Sequence, residues 1–268
     1  MPRRLLLLFP LVTLLTVSVL AGPPIARFQS VLGDFDVLLD PAAAPISVTN
    51  FAAYANRGDY DNTFIHRSTT YTDNIQIVQG GGFGLISNAI APVPTDPPIP
   101  LEAGLPNSRG TLAMARTTDP NSATSQWFFN LTNNSGLDFG YAVFGRVLGP
   151  GISVVDAIGG LDVYDASTGL GPVFAELPLF GPNLIVGNLV FIDSVRVEPF
   201  AITNITRTAN TTELRWTALS TNTPVRIERT ADLTGGPWTI IASNNTTGTF
   251  TDTTAPTRGA YYRIVTEP

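Results

Sequence analysis

Few residues of this chain can do chemistry, and their types narrow what it could catalyse. It has one histidine, His66, and no cysteine. Cysteine nucleophiles, disulfides and thiolate metal sites are therefore excluded. A histidine-rich zinc site cannot be built, and a Ser-His-Asp triad would have to use His66. No GxSxG stretch is present. Three segments carry the polar and aromatic groups that remain: FIHR (64–67), QGGGF (79–83) and GTLAMARTTDPNSATSQWFFN (110–130), the last followed by LDFGYAVFGRV (137–147). Gly80-Gly81-Gly82 could suggest a phosphate cradle. It lacks GxxxxGK[ST] and a following helix, so it reads as a tight exit from a strand. The pairs Asp34/Asp36 and Asp59/Asp61 read as exposed turns rather than calcium or acid–base carboxylates.

In order and spacing, these motifs resemble the cyclophilin-type peptidyl-prolyl isomerases, most closely the bacterial ones, over residues 26 to about 198. The resemblance implies an eight-stranded closed β-barrel capped by two helices, with a groove on its outer face. Arg67 matches the family's catalytic arginine and Gln79 the glutamine that supports it. Met114 and Ala115 match residues lining the groove, with Arg116 beside them. Gln126 matches the substrate-amide contact, Phe128 the floor of the proline pocket and Leu137 a pocket wall. Ile77 stands at a usually aliphatic site, and Tyr141 where many eukaryotic members have histidine. Four departures mark this chain. The stretch from Arg67 to Gln79 is longer by about four residues. Gln76 replaces a pocket phenylalanine, Arg116 replaces an asparagine, and Gly136 stands at the place of a groove tryptophan. The implied reaction needs no cofactor and no metal, and its partners are proline-containing peptides and unfolded or folding proteins.

That reaction suits so sparse an inventory. An X-Pro amide rotates slowly because its C–N bond has partial double-bond character, with a barrier of roughly 18–20 kcal/mol. Accelerating it requires only that the twisted amide be held better than either planar form. At the twist the prolyl nitrogen regains its lone pair, and a fixed cationic donor can stabilise it. Arginine fits this role because its planar fork stays charged and can hold one partner while donating to another. His66 neighbours Arg67 on the same strand and so points to the opposite face, into the core.

Short elements must position these groups. A hairpin is expected over residues 26–40 around Gly33-Asp34. Val48, Phe51, Ala52 and Ala55 fall on one face of a helix over 45–56, with Ser47 or Thr49 as its cap and Gly58 as its stop. Strands are expected at 63–67, 75–79, 110–116, 125–131, 141–147 and 189–197, and a second helix at 151–158. Residues 87–108 carry six prolines and read as loop. Residues 161–186 read as a loop-rich insertion.

Bulk properties set the frame. The chain has 268 residues and a net charge of −6, and all 15 of its basic residues are arginine. That sign argues against nucleic acid as a partner. Arg3-Arg4, the apolar run Leu5–Leu20 and Val19-Leu20-Ala21 read as a signal peptide over 1–21, so the protein is expected to be exported, periplasmic or extracellular. The first domain is expected over 22–199. From Pro199 the composition changes, and 200–268 read as a small β-sandwich resembling a fibronectin type III module. Residues 22–199 hold 7 Arg against 16 acids, whereas 200–268 hold 6 Arg against 5. The second unit has no catalytic grouping and is expected to bind another protein or a cell-surface component.

Overall fold

The computed structural model describes residues 22–69, 75–86, 89–208, 211–219, 223–255 and 260–267. The expected signal peptide lies outside them, as does most of the lengthened loop after Arg67. No helix among the described residues is long and apolar enough to cross a membrane.

In chain order the first part contains β1 (Ile25–Ser30), β2 (Phe35–Leu39), α1 (Pro45–Arg57), β3 (Thr63–Phe64), β4 (Arg67–Ser68) and β5 (Ile77–Gly80). Then come β6 (Phe83–Ile86), β7 (Ala89–Pro92), β8 (Thr111–Met114), β9 (Trp127–Asn130), β10 (Val143–Val147) and α2 (Ile152–Gly159). The short β11 (Val163–Tyr164), α3 (Ser167–Leu170) and β12 (Leu177–Pro178) precede the long β13 (Phe191–Glu198). Eleven strands form one antiparallel ladder in the order β4-β5-β9-β8-β10-β2-β1-β13-β3-β6-β7.

The fold is mostly β with few helices, but the sheet is curled and open rather than a closed eight-stranded barrel. At Ile65-His66 the chain changes partners. Ile65 N donates to Val190 O (2.9 Å) and His66 N to Gln79 O (3.1 Å). One extended segment thus becomes two short strands at distant places in the ladder. β7, which falls inside the proline-rich stretch read as loop, pairs with β6 and lengthens the far edge.

An aromatic core fills the curl. Phe28 stacks on Phe35 with centroids 4.9 Å apart and meets Trp127 edge-on at 5.2 Å. α1 lays Val48, Phe51, Tyr54 and Ala55 over this core. Neither Ser47 nor Thr49 caps α1. The Glu102 carboxylate does so from the proline-rich loop, accepting Ile46 N (3.0 Å) and Ser47 N (2.7 Å), which satisfies two orphan donors of the first turn. Gly58 ends the helix in the left-handed conformation (φ 81°). Asp36 is no exposed turn: it is fully buried on β2 and pairs with Arg27 at 3.2 Å. Asp59 and Asp61 pair with Arg57 and Arg196.

The last part holds β14 (Ile202–Arg207), β15 (Thr212–Trp216), β16 (Val225–Thr230), β17 (Thr239–Asn245), β18 (Thr249–Asp252) and β19 (Tyr261–Thr266). They make two three-stranded antiparallel sheets, β14-β15-β18 and β17-β16-β19. Leu214 and Trp216 from one sheet and Val225 and Ile227 from the other join a single apolar cluster, which also takes in Ile25 and Leu148 from the first part. Gly22 N donates to Phe200 O (3.0 Å) across the same junction, and Arg27 hydrogen-bonds the Ala218 carbonyl.

Candidate active site

Register across the ladder assembles the site. Arg67 on β4 stands opposite Gln79 on β5, Gln79 opposite Phe128 on β9, and Phe128 opposite Ala113 on β8. Directly paired residues share a face, so this row points outward as one. Its neighbours along each strand point the other way. Val78, Trp127, Phe129, Leu112 and Met114 belong to the aromatic core, while Ile77, Ala113, Ala115, Phe128, Leu137 and Val143 form a separate outer cluster.

That outer cluster floors a groove of about 800 Å³, lined by Arg67, Gln79, Phe128, Arg116, Tyr141 and Glu176 among others. Of the residues expected at the site, Arg67, Gln79, Ile77, Ala115, Arg116, Phe128, Leu137 and Tyr141 all line it. Met114 does not: alternation along β8 turns its side chain into the core, where it is 2% exposed, and gives the outer face to Ala113 and Ala115. Gln126 is not a lining residue but touches one. Its Oε1 accepts Gln79 Nε2 at 2.7 Å, so each glutamine fixes the other. Gln79 therefore does not spend this amide on Arg67. The guanidinium Nε of Arg67 donates instead to Glu176 Oε2 at 2.7 Å.

Glu176 had no signal in the motifs. It lies in the expected loop-rich insertion, just before β12, more than a hundred residues beyond Arg67. Backbone pairing brings it there, because Ser68 N donates to Glu176 O at 2.8 Å and so runs this segment alongside β4. Pro172, Val173 and Ala175 complete the same wall. Opposite them, a short 3-10 turn at Ser135–Leu137 drops Leu137 into the groove. Phe139 then takes a positive φ of 61°, an uncommon conformation for a bulky residue, before the chain returns with Tyr141. The Tyr141 ring meets Phe128 edge-on, centroids 5.5 Å apart. Arg116 lies over the Tyr141 ring at 4.4 Å and is pinned by donating from Nε to Gly140 O (2.6 Å) and from Nη1 to Thr117 O (2.7 Å).

Two departures in the sequence have clear places. Gln76 leaves the groove altogether. Its backbone is clamped by the Asn134 amide, which accepts from Gln76 N (3.0 Å) and donates to Gln76 O (2.9 Å). Its side chain borders a different cavity with Arg109 and Asp156. At Gly136 an added Cβ would meet nothing within 4 Å, so the groove is open where a tryptophan would stand.

His66 sits behind the row. It is wholly buried, its ring edge-on to Phe83 at 5.1 Å, and neither ring nitrogen has a hydrogen-bond partner. Burial pulls its pKa from 6.5 down to about 4, with Arg67 adding to the shift and Gln126 opposing it. The ring is a neutral packing group. Among the described residues no group of three or more His, Cys, Asp or Glu could hold a metal. The site therefore offers a directed cation, a pair of interlocked amides and an apolar floor, and no described nucleophile–base pair.

Comparison with known proteins gives the family. Residues 25–172, more than half of the chain, match the family described as cyclophilin type peptidyl-prolyl cis-trans isomerase/CLD. Peptidyl-prolyl cis-trans isomerase A of Dickeya dadantii is 45% identical over 133 residues, 47% of this chain and 66% of that protein. Peptidyl-prolyl cis-trans isomerase B of Escherichia coli is 39% identical over 163 residues, 56% of this chain and 90% of that protein. The match thus spans about two thirds of the first relative's length and most of the second's. A solved cyclophilin type peptidyl-prolyl cis-trans isomerase from Cryptosporidium parvum covers 65% of this chain and 96% of its own, at 20% identity and a TM-score of 0.49. With the family matched across every strand that builds the groove's floor, the chain belongs to the cyclophilin-type peptidyl-prolyl cis-trans isomerases.

Proposed function

We propose that this chain accelerates rotation about X-Pro bonds in exported proteins by holding the twisted amide without covalent chemistry. The observation that carries this reading is the single outward row of Arg67, Gln79 and Phe128 at the groove. A proline ring seated on Phe128, between Ile77 and Leu137, is held while the preceding carbonyl turns. The Arg67 guanidinium, braced through Nε by Glu176, keeps its terminal N–H groups for the prolyl nitrogen or the shifted carbonyl oxygen. Gln126, locked to Gln79, faces the residue before proline. Export rests on residues 1–21. The two C-terminal sheets are read as a fibronectin type III-like sandwich over 200–268 that binds another protein or a surface component, beside an isomerase domain over 22–199.

A second reading is a proline-binding groove that does not accelerate rotation. It is favoured by the absence of Gln76 from the groove and by the carboxylate already paired with Arg67. Isomerisation of a short X-Pro peptide separates the two. Arg67→Ala is expected to lower kcat/KM by roughly 10²–10³, the cost of removing one preorganised donor. Equal rates for the two proteins, with peptide still bound, would leave the binding reading standing.

A further inference from the structure

The groove carries an unbalanced charge. Arg67 is neutralised by Glu176 at 2.7 Å. Arg116 is not paired with a carboxylate among the described residues: its two hydrogen bonds go to the neutral carbonyls of Gly140 and Thr117. Those bonds and the stack on Tyr141 fix the guanidinium in one orientation, with the rest of its five N–H donors uncommitted. Among the described lining residues only Arg67, Arg116 and Glu176 are charged, so this part of the lining carries one net positive charge. The rest of its domain runs the other way, with 7 Arg against 16 acids over 22–199. A pinned, half-buried cation in an acidic protein is suited to receive an anion from outside.

Building on the isomerase reading, we propose that the groove selects proline peptides bearing an aspartate or glutamate near the proline, with Arg116 as the receptor of that carboxylate. The geometry sets the reach. The Phe128 ring, the floor, is 5.5 Å from the Tyr141 ring, and the Arg116 guanidinium is 4.4 Å from that same Tyr141 ring. The carboxylate therefore binds within about 10 Å of the proline ring, a span of up to three extended residues. It enters from the Tyr141 side, because on the opposite wall Glu176 would repel it. An arginine fork can meet a carboxylate with two parallel hydrogen bonds, and its prior immobilisation reduces the entropy lost on binding.

The test uses the full chain at low salt and paired peptides of one X-Pro sequence, with Glu or Gln placed in turn at each of three positions on either side of the proline. At one or more positions on one side, Glu is expected to exceed Gln in kcat/KM by roughly three- to tenfold, and the ratio should shrink as salt rises. Arg116→Gln should bring that ratio to one, while Arg116→Lys, which keeps the charge, should hold it above one. A purely structural role for Arg116 would lower both peptides alike and leave the ratio unchanged. A ratio of one in the wild type, or one that survives Arg116→Gln, overturns the proposal. Acceleration of the Gln peptides reports separately on the isomerase reading. If none is accelerated, the Glu-to-Gln ratio is read from dissociation constants measured by calorimetry, with the same outcomes deciding.

Discussion

The groove has three sides made in two different ways. One is the ladder face of β4, β5, β9 and β8, where register lines up Arg67, Gln79, Phe128 and Ala113. The other two sides are loop, from Leu137 to Tyr141 and from Pro172 to Glu176. Strand pairing fixes the first wall to within a rung of the ladder, and the aromatic core backs it. The loops hang on a few hydrogen bonds, such as Ser68 N to Glu176 O and Arg116 Nε to Gly140 O. The strand wall therefore holds the groups that must not move, and the loop walls hold those that tune charge and shape. The family match takes in the strand wall and the Leu137–Tyr141 loop and ends at residue 172, just before Val173 and Glu176.

Acidification should strain the strand wall first. His66 is neutral and buried when folded but titrates near 6.5 when unfolded, so between pH 6.5 and about 4 the unfolded chain binds the extra proton. Stability is expected to fall as pH drops through that window, by up to about 3 kcal/mol, and His66→Phe should flatten this part of the profile. Denaturant unfolding at pH 7, 5.5 and 4.5 reads the difference, and parallel profiles for the two proteins would break the division drawn above. Next in size, Phe128→Ala removes the floor. It should lower kcat/KM by roughly thirtyfold, the equivalent of about 2 kcal/mol of lost apolar contact, mostly through KM. Smallest is the loop side. Glu176→Gln should reduce kcat two- to fivefold and leave KM unchanged, in keeping with a half-exposed ion pair worth about 1 kcal/mol or less. A KM effect without a kcat effect would make Glu176 part of the surface that peptides touch rather than a brace for Arg67.

How much was legible in the sequence divides along the same line. Motifs in FIHR, QGGGF and SQWFF sit on strands, where spacing in sequence becomes spacing in space, so most of the expected lining residues do line the groove. Met114 was misplaced because matching a motif does not say which of two alternating neighbours faces out; the period of two along β8 does. Glu176 was illegible because its contact depends on the path of an insertion a hundred residues away, with no local pattern to announce it. The split of the expected 63–67 strand into β3 and β4 was illegible for a similar reason, since a change of hydrogen-bond partner midway along an extended run leaves no mark on composition. The cap of α1 was sought within the helix and came from Glu102, a side chain more than fifty residues distant.

The glycines that leave β5 carry one more consequence. A Cβ at position 80 would come within 2.5 Å of the Trp127 ring, one at 81 within 2.6 Å of its indole nitrogen, and one at 82 within 2.8 Å of the Gln126 amide carbon. Gly81 also has a φ of 72°, which few other residues accept. Each position is thus closed by a different obstacle, and two of the three obstacles belong to one side chain. Sequence drift here has a required order: the indole must shrink before alanine can enter at 80, and the intermediate would carry a hole in the core. The turn beside the groove and the indole behind it can therefore change only together at positions 80 and 81.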